Sequence, residues 1–287
     1  MTPPPMPVRA LKGVVLTVCC ALVVVPFAGI VSTSLATREQ IVRSGGFVIV
    51  PDEISFAAYR ALFTGGVVPR AVAVSVLITL VGTALSLTTT TLLAYGLSRP
   101  GSLAHRPVLM LVVGALLFTP GIIPGYLTVS TLGLLDSYWS VILPAAVSAF
   151  NVVILRAFFM DIPAELVESA RIDGAGDGQI LTRIVLPLSK AVLSVIGLFY
   201  AVGYWNAFFT ALLYLNDAAK WPIQLVLRTY VVNQQQLGVD QVGTAELPPQ
   251  EALQMAILVV SIVPILLVYP FIQRHFTKGV LVGAVKG

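Results

Sequence analysis

Six stretches of the chain contain no Asp, Glu, Lys or Arg: Gly13–Thr37, Ala71–Ser98, Pro107–Leu135, Ser137–Leu155, Ala191–Asn216 and Ala252–Gln273. A helix needs about 20 mainly apolar residues to cross the hydrocarbon of a bilayer, and each run approaches or exceeds that length. Lipid leaves no water for open backbone groups, so these segments are expected as helices; the strict alternation of a barrel strand is absent. The pattern predicts an all-α membrane protein with six transmembrane helices. Residues 1–12 form a short tail and residues 13–287 a single transmembrane domain.

The polar intervals refine this picture. In the first, PDEISFAAYRALF places Ser55, Phe56, Tyr59, Leu62 and Phe63 at helical spacing, which predicts a short interfacial helix. Within the third run, Pro120, Gly121, Pro124 and Gly125 predict a break. Between the fourth and fifth runs, Asp161-Ile162-Pro163 reads as a helix start. The glycines of GAGDG read as a turn, Asp177 as a second cap and Leu186-Pro187 as the end of a second short helix. Two short helices joined by a glycine turn have the form of a plug for a partner's cleft.

Composition fixes the class. The chain is 57% hydrophobic and 10% charged, with a mean hydropathy of +0.93, whereas soluble domains carry about 25% charged residues. With the N-terminus inside, 11 of the 17 cations fall in inner segments, which places both termini in the cytoplasm. Topology therefore accounts for the net charge of +4, and no nucleic acid is implied. Ser34-Leu35-Ala36, near the end of the first span, also allows a cleaved leader, but the span's length favours retention. Cys19 and Cys20 are adjacent within that span, where neither has a ligand cluster, and read as packing residues.

All thirteen acids lie outside the six runs and only two histidines exist, His105 and His275. This argues against a membrane-embedded hydrolase and against an ion-coupled carrier, which keeps an ionisable residue in its spans. No G-x-x-x-x-G-K-[ST] occurs, so the chain has no P-loop. The spans do offer Asn151 on the fourth and Tyr200, Tyr204, Trp205 and Asn206 on the fifth. An amide at membrane depth needs a partner or a wet cavity, and aromatic faces stack on sugar rings, so these five are candidates for a pathway or gate. Helix packing is the alternative for each. Tyr138, Trp139 and Trp221 read as interfacial belt residues.

The stretch Glu168-Ser169-Ala170-Arg171-Ile172-Asp173-Gly174-Ala175, followed by Ile184-Val185-Leu186-Pro187, resembles the EAA motif of binding-protein-dependent ABC importer permeases. Ser169 stands where alanine is usual, and Ala191 where a further proline often follows. PGIIPGYLTVSTLGLLDSYWSVILP, GYWNAFFTALLYL and the tail Gly279–Gly287 are similar to the maltose-type sugar permeases, so the resemblance spans nearly the whole chain. It implies the type I importer permease fold in a bacterial inner membrane, with no catalysis by this chain. It also implies a heterodimer with a second, related permease, two copies of a cytoplasmic ATPase that carries ATP and magnesium, and an extracellular substrate-binding lipoprotein. The loop 161–190 would then couple to the ATPase through Glu168, Ser169, Ala170, Asp173, Gly174, Ile184, Leu186 and Pro187. The cargo implied is an oligosaccharide, and spans without cations point to a neutral one; glycerol phosphate esters or peptides are the alternative cargoes.

Overall fold

The structure, a computed structural model, describes residues 6–99, 101, 104–118, 120–236, 238 and 247–284, the side chains of 269 and 271–284 excepted. The side chains of the tail Gly279–Gly287 and of His275, and residues 237 and 239–246, lie outside the described residues. No strand occurs among the described residues. Among the described residues, three helices are long and apolar enough to cross a membrane: α1 (Met6–Ser34), α4 (Val67–Ser98) and the Gln250–Val268 part of the last helix, α14 (Gln250–Ala284). α1 begins seven residues before the first charge-free run, so the expected tail is helical from Met6.

The chain divides into two compact units, Met1–Arg70 with Val226–Val263 and Ala71–Leu225 with Pro264–Gly287. In the first, the segment after α1 folds back on the end of that helix. Thr33 Oγ1 accepts from the Val48 N–H at 2.9 Å and donates to its carbonyl at 3.2 Å. Ser32 donates to Ile49, and Ser34 bonds the Tyr59 hydroxyl at 2.7 Å. Gln40, on the short helix α2 (Arg38–Arg43), donates to the Val50 carbonyl and accepts from the Asp52 N–H. The expected interfacial helix is α3 (Ala57–Thr64), with Leu62 buried and Phe56 and Phe63 exposed. α2 itself has no apolar periodicity to announce it.

In the second unit the third, fourth and fifth runs appear as broken helices. The third run divides into α5 (His105–Leu117) and α6 (Ile122–Thr131), with Phe118 and Gly121 both extended between them. Pro124 and Gly125 do not break it. Pro124 is the third residue of α6, where a missing N–H costs nothing because first-turn N–H groups have no helical partner. The fourth run bends by 47° between Tyr138–Ala145, whose α-helical part is α7 (Tyr138–Ile142), and α8 (Ala149–Met160). Pro144 lies in the 3-10 turn before the bend, and Ser148 caps α8 by accepting from the Asn151 N–H.

After α8 come α9 (Ala164–Ile172) and a helical segment α10 (Asp177–Leu188), whose middle turn, Leu181–Val185, is widened to π geometry. An 85° bend at Ser189 then leads into α11 (Lys190–Trp205). α12 (Phe208–Tyr214) and α13 (Ile223–Val232, its last five residues again π) complete the order before α14. Neither expected aspartate cap forms. Asp161 closes α8 from its C-terminal side, Pro163 precedes α9, and Gly176 precedes α10 with Asp177 as the first helical residue.

Among the described residues, two clusters of buried side chains hold this unit together. One joins Val74, Ile78, Val141, Ile142, Ile196, Tyr200 and Tyr204 across α4, α7 and α11. The other gathers Tyr95, Leu97, Val152, Leu155, Phe159, Val167, Ile180 and Val185 at the end of α4 and α8, beneath α9 and α10.

Candidate functional site: an outward-facing segment and an uncharged cavity

The segment Glu165–Lys190 stands on the second core. Its sequence dictates the turn. Asp173 is the C-cap of α9, and Gly174 follows with φ +84°, a left-handed conformation that glycine adopts without steric cost. The Gly174 N–H bonds the Arg171 carbonyl at 3.0 Å, and the Ala175 N–H bonds the Ala170 carbonyl at 2.9 Å. That pair of bonds is a Schellman cap. Ala170 and Ala175, brought together by it, both pack on the buried core, as does Leu186. Asp-Gly-Ala is thus a helix stop whose last residue is pressed against the spans.

α10 starts at once. Gln179 Oε1 reaches back to accept from the Gly176 N–H at 3.2 Å, and Arg171 spans the turn to Asp177 at 3.2 Å, an exposed ion pair. Tyr95, nearly buried on α4, donates its hydroxyl to the Asp177 carbonyl at 3.2 Å. Its ring meets Phe159 edge-on and carries the Arg99 guanidinium 4.8 Å above the centroid. Arg156 Nε donates to the Leu97 carbonyl at 2.8 Å. The segment is therefore fastened to α4 by burial and the Tyr95 bond and to α8 by burial, while the Arg156 bond ties α8 to α4.

Of the eight sequence-selected residues here, Glu168, Ser169, Asp173, Gly174 and Pro187 are exposed and available to a partner. Ala170 and Leu186 face inward and hold the segment in place, and Ile184 is half-buried. Tyr95 and Ile172 were not among the selected residues. Nothing in the sequence marks Tyr95. Ile172 does carry a signal, an apolar residue on the outward face of an amphipathic helix.

The second feature is a cavity of about 800 Å³ between α7, α8, α11 and α12, a size typical of ligand sites. Asn151, Tyr200, Tyr204 and Asn206 all line it, with Ser148, Thr210 and the rings of Phe150, Phe199, Phe208 and Phe209. Both tyrosine hydroxyls are committed to the scaffold. Tyr200 bonds Thr90 at 2.6 Å and accepts from the Ser148 N–H at 3.0 Å. Tyr204 bonds Ser86 at 2.8 Å and donates to the Ile142 carbonyl at 3.0 Å. Asn206 is exposed and donates to the Val202 carbonyl. Asn151 is 4% exposed, yet its Oδ1 has no partner, and neither has Thr210 Oγ1. The lining carries no charged side chain. It can stack on rings and offer hydrogen bonds, but it holds no acid–base pair.

Trp205 does not join the other four. It is buried against a separate apolar hollow of about 320 Å³, lined also by Thr79, Leu198 and Pro264. Positions 200 and 204 share a helix face, whereas 205 turns about 100° away from 204.

Beyond the ends of these helices, Asp136 and Lys220 tie two connecting segments together. Lys220 Nζ bonds both the carboxylate and the carbonyl of Asp136, at 2.5 and 2.7 Å. Asp136 Oδ1 also accepts from the N–H groups of Asn216 and Asp217. The Lys220 bond foremost, then the backbone donors, hold the carboxyl below its ordinary pKa, and the same bond raises that of Lys220.

With this geometry in view, comparison with known proteins is decisive. Residues 92–282, which contain both features, match the profile of the binding-protein-dependent transport system inner membrane components. The chain belongs to that family. It is a permease component of an importer, not the ATPase. A Bacillus subtilis polygalacturonan/rhamnogalacturonan transport system permease protein, YtcP, is 48% identical over 92% of this chain and 93% of its own length. Protein LplC of the same organism is 44% identical over 93% and 90%. Among solved structures, a bacterial ABC transporter involved in import of the acidic polysaccharide alginate superposes with a TM-score of 0.89. It is 29% identical and covers 96% of this chain and 100% of that one.

Proposed function

We propose that this chain forms one half of the translocation pathway of an ATP-driven oligosaccharide importer in a bacterial inner membrane. It spans the membrane six times with both termini in the cytoplasm. Its partners are a second permease, two ATPase subunits and an extracellular binding protein; ATP and magnesium belong to the ATPase. Three long helices, two bent pairs and the α5–α6 pair supply the spans on this reading.

One observation carries the proposal: in a chain of this family, the segment Ala164–Leu188 is bolted to the spans on one side and bare on the other. Core contacts and the Tyr95 bond fix it from behind, while Glu165, Glu168, Ser169, Asp173 and Gly174 face outward. Movement of a protein docked there passes to α4, α8 and α11. The cavity beside α11 is the pathway wall, with Asn151, Tyr200, Tyr204 and Asn206 on it. The names of the relatives support the oligosaccharide class. They weaken the argument from absent cations to a neutral cargo, since alginate is acidic and this chain provides only half of the wall.

The test is reconstitution in lipid with the partner permease, ATPase and binding protein, comparing the native chain with Gly174→Asp. A Cβ at Gly174 meets no atom within 4 Å, so this variant strains the turn without clashing inside the chain. The expected result is a folded permease that no longer retains the ATPase, beside a native complex whose ATP hydrolysis rises with the loaded binding protein. Equal retention and equal hydrolysis would refute the docking role.

A further inference from the structure

α9 departs from its own amphipathic pattern at its last residue. Val167 is 6% exposed and Ala170 packs beside it, which fixes the inward face. At about 100° per residue, Glu165, Glu168, Ser169 and Ile172 fall on the opposite face. Three of the four are polar, as an outward face should be. The fourth, Ile172, is 87% exposed, the most exposed large apolar side chain among the described residues. The Schellman cap immediately after it locks its backbone, so the side chain projects from a rigid corner. Leu166, on the flank of the same helix, is about half as exposed. An apolar knob held out on a preorganised turn is what a partner's pocket recognises, because little ordering entropy remains to be lost on binding.

The surroundings define the partner. Glu165, Glu168 and Asp173 are all exposed around Ile172, while the nearby cation Arg171 is engaged by Asp177. This acidic ring is repelled by an anionic inner leaflet and attracted by a basic protein surface. We propose that Ile172 is the anchor with which the segment seats in the ATPase subunit, entering an apolar pocket whose rim carries Lys or Arg. The inference rests on the docking reading above and adds the residue and the chemistry of the surface that receives it.

The experiment measures binding of the purified ATPase to the permease pair in nanodiscs. Ile172→Ala is expected to weaken binding about 10- to 30-fold, the loss typical of an interfacial hot spot, with the melting temperature of the permease pair unchanged. Ile172→Leu should bind near the native level. Glu165→Gln combined with Asp173→Asn should slow association several-fold at low salt and have no effect at high salt. Native-like binding by Ile172→Ala, with Gly174→Asp still losing the ATPase, would overturn the anchor and leave docking intact. Loss by neither variant would overturn both. In a chain carrying Ile172→Trp, tryptophan emission should shift to the blue only when the ATPase is added; a shift present beforehand would assign the side chain to lipid and refute the inference.

Discussion

Gly82, on α4, is where a single methyl group would test the packing of the cavity wall. A Cβ built there lies 2.8 Å from Cε2 and Cζ of Tyr204 and 2.9 Å from Cδ2. Ordinary carbon contacts are about 3.5–4.0 Å, so the ring must retreat by about 0.7 Å or more. It is not free to do so, because its hydroxyl is held between Ser86 and the Ile142 carbonyl. A retreat of that size carries both bonds to the edge of hydrogen-bonding distance. Bonds of this kind between membrane helices are worth about 0.6 kcal/mol each, and overpacking a filled core costs about 1–3 kcal/mol in all. Gly82→Ala is therefore expected to destabilise the assembled permease by about 1–3 kcal/mol, read as a fall in melting temperature of about 2–4 °C per kcal/mol. Tyr204→Leu alone also destabilises, since it strands Ser86 and the Ile142 carbonyl. Combined, the two should recover at least about 1 kcal/mol relative to the sum of their separate effects, because leucine vacates the space the new methyl needs. Strict additivity, or a Gly82→Ala protein that melts like the native one, would show that the ring is not wedged as described.

Asn151 and the Asp136–Lys220 pair are open to test as well. Asn151→Leu removes a buried carbonyl oxygen that has no partner, so melting should be unchanged or slightly raised, while the KM for uptake rises if that oxygen meets cargo; an unchanged KM would take Asn151 off the pathway. The Asp136–Lys220 tie gives a pH signature. The folded carboxyl is held below its ordinary value of 3.8, so its contribution is present above that value and is lost as pH falls through the lowered one. Asp136→Asn should reduce melting temperature at neutral pH and flatten its acid decline; matching acid limbs in the two proteins would remove the tie from the stability account.

Much of this arrangement was legible in the sequence because the membrane imposes a coarse rule. Charge-free runs locate the helices, and they miss the ends of α1 and α4 only where terminal charges sit within the first turns, as Arg9, Lys12 and Arg70 do. The glycine turn was legible too, since Gly174 is there for a left-handed cap that only a few residues accept. What escaped depends on relations the chain order conceals. Asp136 and Lys220 are 84 positions apart, and Tyr95 reaches the Asp177 carbonyl across 82. Trp205 was grouped with Tyr204 because they are neighbours in sequence, although adjacent residues on a helix face different ways. Pro124 was read as a breaker, although its position in a first turn makes it a starter.

The bend at Ser189 has a mechanical consequence. Hydrogen bonds run through it, from the Ser189 N–H to Val185 and from the Leu193 N–H to the Ser189 carbonyl, and Ser189 is fully buried. The joint is thus splinted. Its two arms, of 12 and 16 residues, measure about 18 and 24 Å at 1.5 Å per residue, and they meet nearly at a right angle. That is the outline of a bell crank: a push across the short arm becomes a swing of the long one through a right angle, enlarged by about a third. The Tyr200 and Tyr204 end of the long arm forms the cavity wall, so a displacement of a few ångströms at α10 would change the width of that cavity rather than merely shift it.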